Sequence, residues 1–78
     1  MYWFLEKTEE DDVKAVYRYG KKEDALNGVV CFYKNPRQAE SVRLADGETE
    51  KGFEFFLCNV WRILIKEEYP DKRLVAIG

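Results

Sequence analysis

The thirteen residues 53–65, "FEFFLCNVWRILI", constrain this chain more than any other stretch, because ten of them are apolar. The run is too long for a strand of ordinary length and too short for a membrane span. It reads as a helix, yet a surface helix needs only one apolar stripe. With residues placed at steps of about 100° from Phe53, the stripe that meets a sheet is Phe53, Leu57, Val60 and Leu64. Trp61 falls to one side of it, and Phe56 and Ile63 to the other. Cys58 and Ile65 widen the apolar arc to roughly 220°, about twice what contact with one sheet demands. Asn59, Arg62 and Lys66 mark the wet face, and Phe55 stands among them. Either a twisted sheet and a loop wrap the flanks of this helix, or a flank packs on another subunit.

The rest of the chain supplies the sheet. "YWFLEK" at 2–7, "VKAVYRY" at 13–19, "VVCFYK" at 29–34, "AESVRLA" at 39–45 and "KRLVAIG" at 72–78 carry the β-branched, aromatic or alternating character of strands. "TEEDD" at 8–12 reads as a hairpin loop and "NPRQ" at 35–38 as a turn set by Pro36. Between them, 21–28 forms a longer connection with room for one helical turn over 22–26. Asp46 is expected to cap the helix, with Glu48 and Glu50 at its positive end. The helix should run from about Glu48 to Glu68, since Tyr69 precedes Pro70.

The order is β-β-β-β-α-β. Three successive hairpins make an antiparallel meander, and the last strand joins the free edge beside the first. These elements imply a single α+β domain over 1–78, a two-layer sandwich. One long helix covers one face of an antiparallel five-stranded sheet of order 4-3-2-1-5. The expected core is Leu57, Val60, Trp61 and Leu64 against Ala15, Tyr17 and Cys31. Leu57→Ala is then expected to cost about 2–5 kcal/mol.

One helix leaves the second sheet face open, and that face is not polar in the sequence. Tyr2 and Phe4 alternate with Trp3 and Leu5. Val29, Cys31 and Tyr33 alternate with Val30 and Phe32. A domain of 78 residues buries only roughly 60% of its unfolded surface, so uncovered apolar area favours a partner, most simply a second copy about a two-fold axis. The interface candidates are Phe32, Phe55, Arg18, Val16, Phe56 and Ile63. On this reading Phe32→Lys turns a dimer into a monomer without unfolding it.

Composition narrows the chemistry. There is no histidine, so no side chain has an unperturbed pKa near 7. Thr8, Ser41 and Thr49 are the only hydroxyl nucleophiles and none sits in a G-x-S-x-G elbow. The two cysteines, Cys31 and Cys58, lie in apolar runs, the pattern of buried reduced thiols in a cytoplasmic protein. No phosphate loop, dinucleotide fingerprint or zinc ligand set is visible, and neither acidic cluster has the spacing of a calcium loop. No catalysis, cofactor or metal is expected. No secretory signal or membrane-length apolar run is visible. The chain is expected to act as a non-enzymatic, self-associating or protein-binding domain. The alternative is single-stranded nucleic-acid binding on an aromatic sheet face, with the tyrosines of "VYRYG" and "CFYK" beside Arg18 and Lys34. A net charge of −2 counts against a phosphate track.

Overall fold

The computed structural model describes residues 2–76. Five strands, β1 (Tyr2–Glu10), β2 (Lys14–Gly20), β3 (Gly28–Lys34), β4 (Arg37–Arg43) and β5 (Lys72–Ala76), form one antiparallel sheet of order β4-β3-β2-β1-β5. A continuous helix, here α1, lies across one face. It is α-helical over Glu50–Phe56, π-helical over Leu57–Trp61 and α-helical again over Arg62–Lys66. The architecture and strand order are those read from the sequence. The last two positions of the expected fifth strand, 77 and 78, lie outside the described residues.

Several boundaries moved for identifiable reasons. β1 runs on through Glu10, with a register irregularity between Lys7 and Glu9, so the hairpin loop is only 11–13 rather than 8–12. Asp11 closes that loop by accepting the backbone N–H groups of Val13 and Lys14 at 2.8 and 2.9 Å. This is the local side-chain turn that aspartate favours. The expected turn at 35–38 shrinks to two residues, with β4 starting at Arg37. No helical turn forms over 22–26; one turn hydrogen bond, Ala25 N to Lys22 O, holds that loop. Thr49, not Asp46, caps the helix, accepting from Gly52 N at 3.0 Å. Asp46 instead exchanges two hydrogen bonds with Asn27, at 2.9 and 2.8 Å, which ties the β2–β3 loop to the helix entry. At the other end Tyr69 N bonds Leu64 O, five residues back, and both Glu68 and Tyr69 adopt positive φ. That turn reverses the chain into β5.

The helix meets the Trp3 and Leu5 face of β1, the Ala15, Tyr17 and Tyr19 face of β2 and the Val30 and Phe32 face of β3. From α1 the fully covered residues are Phe53, Phe56, Val60 and Leu64, while Leu57 and Trp61 are half-buried. This corrects the stripe drawn from a uniform helical angle. In an α-helix, residues four apart drift by about 40°. A π turn holds more residues, each advancing by a smaller angle, and the drift is removed. Phe56, Val60 and Leu64 therefore line up on the sheet, and Leu57 rotates outward. Phe56 becomes a hub of the core. Its ring lies 4.8 Å from Tyr19, 5.4 Å from Trp3 and 5.5 Å from Phe53, centroid to centroid.

Small residues fit where backbone or rings come close. A Cβ on Gly28 would stand 2.5 Å from the Tyr19 ring, so only glycine lets that ring lie flat against β3. Ala15, expected in the core, is fully buried there. The two tryptophans differ in their polar atoms. Trp3 Nε1 donates to Glu48 at 3.1 Å, whereas the buried Nε1 of Trp61 has no partner among the described residues. An unsatisfied buried donor carries a penalty of about 1–3 kcal/mol. Trp61→Phe removes that donor and should change unfolding free energy by less than about 1 kcal/mol, while Trp3→Phe should lower it by about 1–3 kcal/mol. Urea denaturation of the pair reads the contrast, and equal losses would contradict it.

Candidate functional site

Two places gather functional side chains: the end of the core beneath the helix C-terminus, and the sheet face opposite the helix.

At the first, Glu10 bridges two lysines. One oxygen accepts from Lys7 Nζ at 2.6 Å and the other from Lys34 Nζ at 2.7 Å. Lys7 also donates to Tyr69 O at 2.8 Å and approaches Asp71 at 3.1 Å. Lys34 lies 5.4 Å over the Tyr69 ring. Tyr17 completes the arrangement by donating its hydroxyl to Pro70 O at 2.6 Å. The Lys34 and Lys7 ammonium groups hold the Glu10 carboxyl below its ordinary range, and the bond to Glu10 raises Lys7 above its own. Burial raises the Tyr17 hydroxyl. All three shifts run away from neutrality, the opposite of what a general acid or base requires. The cluster is a clasp: it joins β1 and β3 to the α1–β5 turn and closes the core beneath it. The sequence reading missed it because its members come from residues 7, 10, 17, 34 and 69–71, which no spacing rule links.

The second place is the outer face of the sheet. Side chains alternate along each strand, so Tyr2, Phe4 and Glu6 of β1, Val16 and Arg18 of β2, Val29, Cys31 and Tyr33 of β3, and Lys72 and Leu74 of β5 all point away from the helix. Cys31, expected under the helix, belongs here; although buried, it takes no part in the core cluster. Phe4 pairs with Leu74 on one side and Gly20 on the other. Tyr2 packs edge-on against Phe4 at 5.7 Å. Tyr2 is 50% exposed and Leu74 48%, so the three form an apolar patch that none of the described residues covers.

A row of charges borders the patch. Glu6 accepts from Arg18, which holds its carboxyl below the ordinary range, and lies 3.8 Å from Lys72. On the third side runs the β2–β3 loop, which one of the two readings of the wide apolar arc sets over a flank of the helix. It lies against Gly20 instead, where an added Cβ would stand 2.5 Å from Ala25 O. Between this loop and β5 opens a groove of about 370 Å³ lined by Phe4, Leu26 and Leu74 with Glu6, Glu23 and Lys72. An apolar floor with charges of both signs at its margin suits a polypeptide segment.

The six interface candidates separate. Val16, half-buried, and Arg18, exposed, are on the outer face. Phe55 is 44% exposed on the side of α1 over Trp3, their rings 6.2 Å apart. Ile63 is partly buried against the core. Phe32 and Phe56 have no exposed surface; they are core residues and unavailable to a partner. Tyr17 and Tyr19 are likewise fully buried, so they offer no platform for stacked bases, and of the tyrosines cited for nucleic-acid binding only Tyr33 reaches the outer face. The residues missed were Tyr2, Phe4 and Leu74. The doubly apolar first strand signalled them, but the face they share emerges only from the β1–β5 register.

Among the described residues no group of three or more Cys, Asp and Glu side chains is placed to hold a metal ion, and no helix is long and apolar enough to cross a membrane. No family model, curated protein or solved structure matches the chain.

Proposed function

We propose that this chain is a small non-enzymatic interaction domain that binds protein, a second copy of itself included, through the outer face of its sheet. The observation that carries the reading is the Tyr2–Phe4–Leu74 patch, left bare beside a charged row and a groove. Contiguous apolar surface of this kind on a small domain marks an interaction site. Of the two cysteines expected to be buried thiols, Cys31 is buried but Cys58 is exposed, on the side of the helix turned from the sheet.

The test separates a surface kept for a partner from one that holds the fold. Tyr2→Ser with Leu74→Ser, in dilute solution, should lower unfolding free energy by less than about 1 kcal/mol, as substitutions at half-exposed sites do. A stability loss above about 3 kcal/mol would show that the patch serves the fold and would defeat the proposal.

A further inference from the structure

The β5 side of the molecule combines two kinds of incompleteness, in side chains and in backbone. Among the described residues, three of the five exposed large apolar side chains, Tyr2, Phe55 and Leu74, cluster there: Leu74 on β5 itself, Tyr2 opposite Ala76, and Phe55 over Trp3, whose strand partner is Val75. The backbone of β5 is open on its outer side, because β5 ends the sheet. Its phase follows from the ladder. Lys7 N donates to Asp71 O at 2.7 Å, so the pairs Leu5–Arg73 and Trp3–Val75, two and four residues along, are the hydrogen-bonded ones. Lys72, Leu74 and Ala76 therefore turn their N–H and C=O groups outward. A side chain fills one of these vacancies: Arg73 Nη1 donates to Leu74 O, while its Nε stays on Glu67 at 3.0 Å.

We infer that β5 pairs edge to edge with β5 of a second copy about a two-fold axis through Leu74, making one ten-stranded antiparallel sheet. The inference rests on the interaction reading above and names its occupant. The charge pattern along the two edges is the argument for a second copy. With the axis on Leu74, the outward-facing set maps onto itself: Leu74 meets its counterpart and Lys72 meets Ala76. Every outward N–H finds a C=O once Arg73 Nη1 gives up Leu74 O, its Nε keeping Glu67, and no cation faces a cation. Lys72 and Arg73 already have Glu6 and Glu67 beside them. The two Leu74 side chains and the neighbouring Phe4–Tyr2 pairs then join across the axis into one apolar strip. β4, the other edge, does not suit the same operation. Centred on Glu40, it would set Glu40 against Glu40 and Arg37 against Arg43, and it is irregular beside Val42. Charges and irregularities of this kind blunt an edge.

The paired length is about 16 Å for five residues. That buries less than the roughly 800 Å² per partner of a standard interface, so the dimer is a weak one, with Kd on the order of 0.1 mM. At 1 mM chain about four-fifths of the molecules would be paired, and exchange of the outward amides of Lys72, Leu74 and Ala76 should slow about fourfold relative to 10 µM. The inward amides of Arg73 and Val75 serve as internal reference. Leu74→Pro deletes an N–H that faces solvent in the single chain, a position where an edge strand tolerates proline, so it should stay folded and sediment as a monomer at 1 mM.

A native dimer, slowed outward amides and a monomeric proline variant together support the inference. A native monomer at 1 mM, or a dimer whose outward amides exchange at the dilute rate, overturns it whether or not the proline variant folds. Neither result touches the interaction reading, which stands or falls on the dilute stability of the Tyr2 and Leu74 serine variants.

Discussion

Phe32→Lys should leave the chain unfolded at room temperature. The Phe32 ring has no exposed surface. It sits 5.9 Å from Tyr17, 5.5 Å from Trp61 and 6.5 Å from Tyr69. Removing a buried aromatic ring alone costs about 3–5 kcal/mol. The lysine that replaces it must either lose its proton or hold a charge among rings, adding several kcal/mol more. A chain of this length has about 4–12 kcal/mol of stability in total. Loss of the near-ultraviolet dichroism and collapse of amide dispersion would be the signs. A folded Phe32→Lys protein would mean that β3 presents its other face to the helix. This reverses the expectation drawn from sequence, in which Phe32 stood on the open face and its lysine variant stayed folded.

The second large effect tests the phase of the helix. Phe56→Ala should lower unfolding free energy by about 3–5 kcal/mol, and Leu57→Ala by only about 1–2 kcal/mol, since Leu57 is half-buried. A uniform α-helix over the same residues reverses the ranking, because it puts Leu57 on the central stripe and Phe56 on a flank. Urea denaturation of the two variants decides between the geometries. If Leu57→Ala proves the costlier change, the π turn at Leu57–Trp61 is not populated in solution.

Much of the architecture was legible because each strand could be read on its own. Turn residues, alternation and one long apolar run were enough for the element order. The β4-β3-β2-β1-β5 arrangement then followed from short hairpins and one crossover. What was not legible were the decisions that alternation leaves open. Tyr2 and Phe4 against Trp3 and Leu5 is a choice between two apolar faces, and Cys31 against Phe32 is another. Periodicity cannot break such ties; volume can, since the Trp3, Tyr19 and Phe56 rings pack only on the side where Gly28 and Ala15 make room. The helix posed a different problem. A π turn changes the angular step, and every residue beyond it then departs from a wheel drawn at a constant angle. Thus a constant-angle wheel puts Phe56 on a flank, where the structure buries it. The outer patch lay one step further off, because Tyr2 and Leu74 meet only through pairing between the two ends of the chain.

That pairing also bears on the order of assembly. Phe4 and Leu74 are partners across the β1–β5 ladder, 74 − 4 = 70 positions apart, whereas the hairpin ladders close over loops of a few residues. Joining ends so far apart costs about 2–3 kcal/mol more in chain entropy than closing a short loop. The three hairpins can therefore zip early and independently, and β5 should arrive last, once α1 has settled and turned at Glu68 and Tyr69. Until Val75 docks beside Trp3, the edge of β1 and the indole of Trp3 stay open to water.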